Sequence, residues 1–589
     1  MHIWILKYSD TNFSTDFIAK ANEVAESINQ LKNRNCWQKS YGKFHLLSFT
    51  TQFDYSQKSY LQEREKSTVA YSGLLIGKET AETDLRDIKN IEINRPEKYN
   101  GQFALFELTE NSFSCLADNF GFHKVFYGQI DNEIYVSNSL DFLKKLNKIK
   151  VNSDKLILDF LTVRFGVYPG NDTIFEDFYT LPEYGRLNII KGQLTVDTYK
   201  PISDLLVPNG DFESKLQETI ADFKMAANYL RKYHHTVVPL SGGFDGRTIL
   251  SYFYKTEGKP LETMTYNRAG KLDFYIAARL SKAFEVPHRK IHISKSIVDF
   301  EAKIPEVKKI DDDPFYKAFS ESIKGFYNQG TCFKVSLGGN GADTDWEFGE
   351  KQLKKLDQSN FKAFVKSYSA LITQHPFLNK EVSERFALKL ENYFLEKYSV
   401  FQNKSNFMQL LASSFFHLER FRSEQGFGYS QFFNQKYDIF LPYATESLNQ
   451  TVFLASKRQL NRGVRDGINY KIYQTMTEGK MPYAPILTAD NEFGKNFIQK
   501  SLNKIFPYLP KIIWKLNNGD TNGNLRKQYT AKVTTLSSEY ILKSDENVIW
   551  NYLDASKIKE TIQQPNYNGN LNEVAKMLKF IDDMNKKSN

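Results

Sequence analysis

The chain has 589 residues, of which 41% are hydrophobic and 15% aromatic. This length exceeds what one ordinary core can organise, and the composition excludes an intrinsically disordered protein. Lysine and arginine total 78 against 69 aspartates and glutamates, and this excess of 9 is spread along the chain, which argues against a nucleic-acid partner. No run of about 18 apolar residues is present, so we expect no membrane span and no membrane partner.

The three cysteines, Cys36, Cys115 and Cys332, are far apart and odd in number. Such a set favours neither a disulfide framework nor a cysteine zinc site, and it is typical of a reducing compartment. The apolar stretch in residues 1–7 is too short for a secretory signal. We therefore predict a cytoplasmic protein.

Residues 1 to about 200 contain short β-prone runs separated by turn signals such as Asp131-Asn132 and Lys191-Gly192. The predicted strands are 101–108, 112–117, 125–129, 133–137, 185–190 and 193–198. Closely spaced hairpins of this kind predict an antiparallel, sheet-rich first domain over residues 1–200.

Residues 201–211 contain two prolines and a glycine, and they are predicted to form a linker. After the linker the periodicity changes, because apolar residues recur at helical spacing. The predicted elements that follow are a helix over 212–233, a strand over 236–240, a helix from Arg247 to about Lys255, a strand over 261–266 and a helix from Asp273 to Phe284. This alternation predicts a parallel sheet flanked by helices. From about residue 350 helical patterns dominate, so residues 212–589 are predicted to be an α/β domain with a helical C-terminal part.

The glycine-rich turn after the strand 236–240 is the most informative segment, and it reads Ser241-Gly242-Gly243-Phe244-Asp245-Gly246-Arg247. Glycines let the backbone approach a phosphate closely, and the N-terminus of the next helix adds partial positive charge. Ser241 can donate a hydroxyl, whereas the negative Asp245 suits a Mg²⁺ ion that bridges to phosphate oxygens. The alternative is a tight strand-to-helix turn with Asp245 as the helix N-cap. The spacing fits neither a Walker P-loop nor the GxGxxG dinucleotide motif.

This loop resembles the SGGxDS signature of the pyrophosphate-loop proteins, which cleave ATP between its α and β phosphates. About a hundred residues downstream, Gly338-Gly339-Asn340-Gly341-Ala342-Asp343 resembles the SGxGADE motif of the asparagine synthetase branch, which includes β-lactam synthetases and lasso-peptide cyclases. Residues 101–108, 118–122 and 181–185 are similar to segments of the glutaminase domain of that family. The resemblance extends from about residue 65 to 495.

The resemblance implies an N-terminal-nucleophile, glutaminase-like α+β domain followed by an α/β ATP-pyrophosphatase domain. It implies ATP and Mg²⁺ as cofactors, with Asp245 and Asp343 holding the metal on the pyrophosphate and the strand 264–266 lining the adenine. The residues implied to bind ATP are Ser241, Gly242, Gly243, Phe244, Asp245, Gly246, Met264, Thr265, Tyr266, Gly338, Gly339 and Gly341.

The sequence departs from the family pattern at several points. The family's glutaminase uses a cysteine at position 2 as its nucleophile, whereas this sequence has His2 and no cysteine in its first thirty residues, so we expect no glutamine hydrolysis. Arg247 either contacts a phosphate or is a solvated helix arginine. The segment that carries the family's catalytic lysine cannot be identified in this sequence. Either Lys480 or Lys495 stabilises the transition-state charge, or each is a surface lysine.

The function that the resemblance implies is an ATP-dependent carboxylate–amine ligase that forms an acyl-adenylate and releases pyrophosphate and AMP. The acid is a small molecule or a peptide, and the amine is ammonia, ammonia from a separate protein, or an amine on the substrate. Two alternatives stay open: a macrocyclase of the β-lactam synthetase or lasso-cyclase type, and a non-catalytic nucleotide-binding module.

Overall fold

The structure is a computed structural model, and it divides into two compact units. Unit 1 comprises Met1–Tyr229, Asn340–His375 and Lys380–Arg465, and unit 2 comprises Leu230–Gly339, Pro376–Asn379 and Asp466–Asn589. The residues that the structure describes are 2–9, 15–28, 31, 34–51, 61–77, 91–161, 170–207, 209–241, 243–267, 272–292, 335–337, 355–373, 375–415, 418–419, 438–455, 464–480, 531, 534–544, 546–564, 571, 574–575, 577–578 and 581–582. Both units are built from stretches of chain that are far apart in sequence.

Unit 1 contains two antiparallel sheets. Their strands are β1 (His2–Tyr8), β2 (Arg34–Tyr41), β3 (Phe44–Thr51), β4 (Leu61–Glu63), β5 (Ser67–Gly77), β6 (Tyr99–Thr109), β7 (Ser112–Ala117), β8 (Phe126–Ile130), β9 (Glu133–Ser137), β10 (Phe178–Thr180), β11 (Gly185–Ile190) and β12 (Gln193–Thr198). The strand orders are β10-β8-β9-β1-β3-β2 and β12-β11-β7-β6-β5-β4. The prediction of antiparallel sheets in the first 200 residues is confirmed. Four of the predicted strands have the observed bounds, and the other two differ by one or two residues.

The core of unit 1 is formed by aromatic and aliphatic side chains from both sheets. Trp4 of β1 is fully buried, and its ring centroid lies 4.6 Å from that of Phe106 of β6. On β7, Phe113 and Cys115 face this core, whereas Ser114 between them is partly exposed, as the period of two in a strand requires. Each fully buried large side chain contributes about 1.5–3 kcal/mol.

Among the described residues, the α-helices with defined bounds include α1 (Thr15–Ser27), α2 (Leu140–Leu146), α3 (Ser153–Leu161), α4 (Ser203–Leu206), α5 (Phe212–Tyr233), α6 (Phe244–Ser251), α7 (Leu272–Ala283), α8 (Phe361–Thr373), α9 (Lys380–Lys397), α10 (Phe407–Ser414), α11 (Glu446–Leu454), α12 (Val464–Met476) and α13 (Ala555–Gln563). Helix α5 has the predicted bounds, and the division between the units falls inside it. Helix α4 lies within the segment predicted as a linker, and two of its leucines are buried.

The later segments of unit 1 contact its sheets through the short strand β17 (Asp438–Phe440) and the residues that follow it. Gln102 of β6 donates its side-chain N–H to the carbonyl of Leu441 at 3.4 Å and accepts the N–H of Leu441 at 2.9 Å. These two hydrogen bonds satisfy the buried side-chain amide of Gln102. Their partner, the backbone of Leu441, lies 339 residues further along the chain.

Unit 2 contains the strands β13 (Thr236–Pro239), β14 (Leu261–Asn267), β15 (His288–His292) and β16 (Val335–Leu337). They are neighbours in the order β15-β14-β13-β16, and β13 is parallel to β14 and to β16, as β14 is to β15. Helix α6 follows β13, and helix α7 follows β14. The predicted parallel sheet with intervening helices is therefore confirmed.

The predicted bounds of helix α6 are wrong at both ends, because the helix spans Phe244–Ser251. Gly243 has extended backbone angles, φ −70° and ψ 163°, so the helix begins directly after it. Gly246 lies inside the helix, and a Cβ there would stand 3.2 Å from the Cδ1 of Leu240, so the missing side chain permits close packing. At the other end Lys255 has a positive φ of 59°, which no helix residue adopts.

In the described part of the chain, no helix combines the length and the hydropathy that a membrane span requires. Three or more histidine, cysteine, aspartate or glutamate side chains arranged to hold a metal are not found among the described residues. Cys36 and Cys115 carry free thiols.

Candidate functional site

The carboxyl end of β13 is fixed to β14 at the residue before the glycine loop. The N–H of Leu240 donates to the carbonyl of Met264 at 2.7 Å, and the hydroxyl of Thr265 donates to the carbonyl of Leu240. Met264 and Thr265 are both buried. The loop that starts at Ser241 therefore leaves the sheet from a rigid position, and that position lies at the carboxyl end of a parallel strand.

Ser241 is exposed at the start of the loop, and its Oγ accepts the N–H of Gly243 at 3.1 Å. The serine hydroxyl can still donate to a ligand. Gly243 is the N-cap of α6 and has no side chain to cap the helix, so the N–H groups of the first turn are directed beyond the helix end. A hydroxyl donor beside an uncapped helix N-terminus is an arrangement that suits a phosphate group.

Asp245 lies in the first turn of α6 and is half-buried. Its Oδ1 accepts a hydrogen bond of 2.7 Å from Nδ2 of Asn469 on α12. Gly243 occupies the N-cap position, and this contradicts the alternative that assigned the N-cap to Asp245. Burial raises the pKa of Tyr252 well above its usual value, and the negative charge of Asp245 adds to that rise. A carboxylate next to a helix N-terminus is an oxygen ligand that fits Mg²⁺ bound to phosphate oxygens.

Arg247 has no exposed surface, although it lies only two residues after Asp245. The alternative of a solvated helix arginine is therefore wrong. Burial raises the pKa of Tyr473 on α12, and the positive charge of Arg247 opposes that rise, so the guanidinium lies near the Tyr473 phenol. A phosphate contact by Arg247 stays a prediction.

Lys480 is exposed and follows the C-terminus of α12, which is the setting expected for a surface lysine. Its suggested role in stabilising the transition state stays a prediction. The remaining predicted positions lie outside the described residues: Gly242, Gly338, Gly339, Gly341, Asp343, Lys495 and the side chains of Phe244 and Tyr266.

Asn469 is the residue near this loop that sequence reasoning missed. It is 1% exposed and lies on the buried face of α12 beside Ile468 and Ile472. The only signal in the sequence is a polar residue on the apolar face of a helical pattern, and such a residue needs a buried hydrogen-bond partner. The sequence does not say which partner it finds.

Unit 1 holds no thiol in the state that a nucleophile requires among its described residues. Burial raises the thiol pKa of Cys115, and it also raises that of Cys36, where Arg34 partly opposes the effect. A nucleophilic cysteine has a lowered pKa. His2 lies at the start of β1, with its Nε2 2.9 Å from the Oγ of Ser48.

Trp4 of β1, Ser72 and His123 form a buried polar network. The indole N–H of Trp4 donates to Oγ of Ser72 at 3.0 Å, and that Oγ is 2.7 Å from Nε2 of His123. Because a serine oxygen can accept two hydrogen bonds, the tautomer of the His123 ring decides which of the two residues donates. Burial lowers the pKa of His123 to about 4. Asp118 accepts the backbone N–H of His123 at 2.8 Å, so the carboxylate orders the chain around this histidine.

A cavity of about 950 Å³ lies within unit 1, between the outer face of β7 and β11 and helices α5 and α11. Of the residues predicted to bind ATP or metal, none that the structure describes lines it. Among its described lining residues, three are basic, and each forms an ion pair: Arg186 with Asp197, Lys200 with Glu446, and Lys215 with Glu218.

Residues 228–439 match the family model described as asparagine synthase, and this span includes β13, the glycine loop, α6 and β14. No curated protein matches the chain. Among solved structures, one similar chain is the allosteric regulatory enzyme of purine biosynthesis, at 8% identity over 49% of this chain and 80% of that one, with a TM-score of 0.24. Another is glutamine phosphoribosylpyrophosphate amidotransferase from B. subtilis, at 7% identity over 58% and 77%, with a TM-score of 0.23. Similarities of this size carry no argument, whereas the family match shows that residues 228–439 are similar to asparagine synthase.

Proposed function

We propose that this protein is an ATP-dependent ligase that activates a carboxylate as its adenylate and then joins it to an amine as an amide. The observation that carries the proposal is the arrangement around the loop 241–247. An exposed serine, an uncapped helix N-terminus and a carboxylate meet at the carboxyl end of β13. Ligands of open α/β sheets bind at the carboxyl ends of the strands, and this loop lies within the asparagine synthase match.

In the proposed reaction, a carboxylate oxygen of the substrate attacks the α phosphorus of ATP, and the bond from that phosphorus to pyrophosphate breaks. The amine nitrogen then attacks the acyl carbon, AMP leaves with the electron pair of the C–O bond, and the amine loses a proton to solvent. The Ser241 hydroxyl and the first N–H groups of α6 hydrogen-bond the departing phosphate oxygens. Mg²⁺ supplies positive charge at the pyrophosphate when it is bound, and Asp245 and Asp343 are the residues proposed to hold it.

The first domain contributes no glutamine hydrolysis in this proposal. The two described thiols in the first 200 residues have raised pKa values, and Cys115 belongs to the core. The nitrogen nucleophile is therefore free ammonia, ammonia from a separate protein, or an amine on the substrate itself. An amine on the same molecule as the acid would make the product a ring.

The proposal is tested by ATP–pyrophosphate exchange with a panel of carboxylic acids, comparing wild type with Asp245→Ala. We expect exchange with at least one acid in the wild type and a loss of about 10²–10³-fold in the variant. Glu213→Ala is the matched control, because Phe212-Glu213 opens α5 as Phe244-Asp245 opens α6, and this glutamate is exposed. The control should keep the wild-type rate.

Two other outcomes separate the alternatives. If ATP binds but no acid supports exchange, the chain is a nucleotide-binding module and the ligase proposal is wrong. If ATP does not bind at all, both the ligase proposal and the nucleotide-binding module are wrong.

A further inference from the structure

Two helices of unit 2 meet at Asn469. Helix α6 carries Asp245 and Thr248 three residues apart, and therefore on one face of the helix. The Asp245 carboxylate accepts from the Asn469 side chain at 2.7 Å, and the Thr248 hydroxyl donates to the Asn469 carbonyl at 3.5 Å. Both Thr248 and Asn469 are buried, at 0% and 1% exposure.

The first of these bonds is the stronger one. At 2.7 Å it has the length of a charge-assisted hydrogen bond, whereas 3.5 Å is the limit for a neutral one. The direction is fixed as well, because an amide oxygen turned toward the carboxylate would be repelled, so the NH₂ group must face Asp245.

A neutral donor has a specific consequence for a metal ligand. It fixes the rotation of the carboxylate but leaves its full negative charge, whereas a lysine or arginine at the same place would neutralise that charge. The partners that orient a ligating carboxylate typically change metal affinity or activity by 10–100-fold when they are removed.

We infer that Asn469 is a positioning residue that holds the Asp245 carboxylate in the orientation that binds the metal of MgATP. This inference rests on the proposed function, because it requires Asp245 to be a metal ligand. It adds helix α12 to the site: the helix supplies the neutral donor that orders the carboxylate on α6.

The test is calorimetric titration of the full-length protein with ATP at a series of MgCl₂ concentrations. In Asn469→Leu we expect the Mg²⁺ concentration for half-maximal ATP binding to rise 10–100-fold. At saturating Mg²⁺ the exchange rate should return to within a few-fold of the wild type. Asn469→Ser is the second variant, since it keeps a buried polar group if the leucine prevents folding, and its shorter side chain should give the same shift.

Thr248→Val is the matched control, because it removes the other bond to Asn469 without touching Asp245, and its Mg²⁺ dependence should be that of the wild type. Wild-type Mg²⁺ dependence in both Asn469 variants, while Asp245→Ala abolishes it, would overturn the positioning role and leave the proposed function standing. An equal shift in Thr248→Val would also overturn it, because helix packing alone would then explain the effect. If the wild type itself shows no Mg²⁺-dependent ATP binding, the proposed function fails together with the inference.

Discussion

In unit 1 the hydroxyl of Ser72 is fully buried between Trp4 and His123, whereas in unit 2 the hydroxyl of Ser241 is exposed at the end of β13. Ser72 is followed by Gly73, which has a positive φ. Ser241 lies five residues before Gly246, whose missing side chain permits close packing against Leu240. The first hydroxyl is satisfied on both sides by protein, and the second has an open side. The comparison shows that accessibility, rather than the presence of reactive residue types, separates a structural network from a candidate site.

The comparison predicts that changes in the buried network lower stability, and that changes in the loop lower ligand binding. The largest stability effect is expected for Gly73→Ala. Gly73 has a φ of +83°, and a Cβ there would lie 2.3 Å from the carbonyl oxygen of Gln102. The backbone of β5 or that of β6 must therefore move to accept an alanine. We expect a loss of roughly 3 kcal/mol or more in the free energy of unfolding, measured by urea denaturation. In Gly479→Ala, with a φ of +75° and no atom within 4 Å, about 1 kcal/mol should be lost.

The next effect is expected for Ser72→Ala. The variant leaves the buried indole N–H of Trp4 and the ring nitrogen of His123 without their serine partner, which costs about 1–3 kcal/mol. The control is Ser114→Ala, whose partner Asn188 is only partly buried, so both groups can turn to water. Calorimetric melting should separate the two variants. Reduced ATP binding by folded Ser72→Ala, with stability unchanged, would contradict the structural role.

The pH dependence of stability gives a smaller and more specific signal. Burial lowers the pKa of His123 to about 4 from an ordinary value near 6.5, so its contribution to stability is fully present above pH 6.5 and is lost as the pH falls toward 4. The stability advantage of wild type over His123→Gln should therefore shrink with falling pH, by up to about 1.4 kcal/mol per pH unit.

Burial raises the pKa of Asp118 to about 6, so the contribution of Asp118 to stability changes with pH in the opposite direction to that of His123. It is present in both proteins, so the difference between them isolates the histidine. Urea unfolding at pH 7, 6, 5 and 4.5 measures that difference. A difference that does not change with pH would show that the pKa of His123 is the same in the folded and unfolded states, which would contradict the prediction.

The smallest effect is expected in the loop itself. Ser241→Ala removes one hydroxyl donor to the phosphates, and ATP binding should weaken two- to ten-fold, equivalent to about 0.5–1.5 kcal/mol. Stability should not change, because the serine is exposed. The exposed Ser214 of α5 provides the control, and Ser214→Ala should bind ATP as the wild type does. Unchanged ATP affinity in Ser241→Ala would place the phosphates elsewhere.

Local patterns predicted the elements well, because hairpin turns and helical periodicity are encoded within a few residues. The strands 185–190 and 193–198 and the helix 212–233 have the predicted bounds. Helix α6 was placed too late, because Gly246 is a poor helix former by itself and its close contact with Leu240 is a tertiary feature. Helix α4 has only four residues, too few for a periodic signal.

The contacts that define the site depend on pairs that are distant in sequence. The loop 241–247 was predicted from its glycines and its position after a strand, and helix α6 begins there. The bond between Asp245 and Asn469 joins residues 224 apart, and the network of Ser72 and His123 joins residues 51 apart. No spacing rule covers such separations, so neither contact was predicted.

The discontinuity of unit 1 constrains how the nascent protein can fold on the ribosome. Gln102 meets Leu441 only after the whole intervening segment has been synthesised, and the last stretch of unit 1 ends roughly 240 residues after its first stretch. At typical translation rates that interval takes roughly 10–50 s. During that time the sheets formed by the first stretch expose the surface that the later stretch covers, and exposed surface of this kind favours aggregation of a partly folded chain.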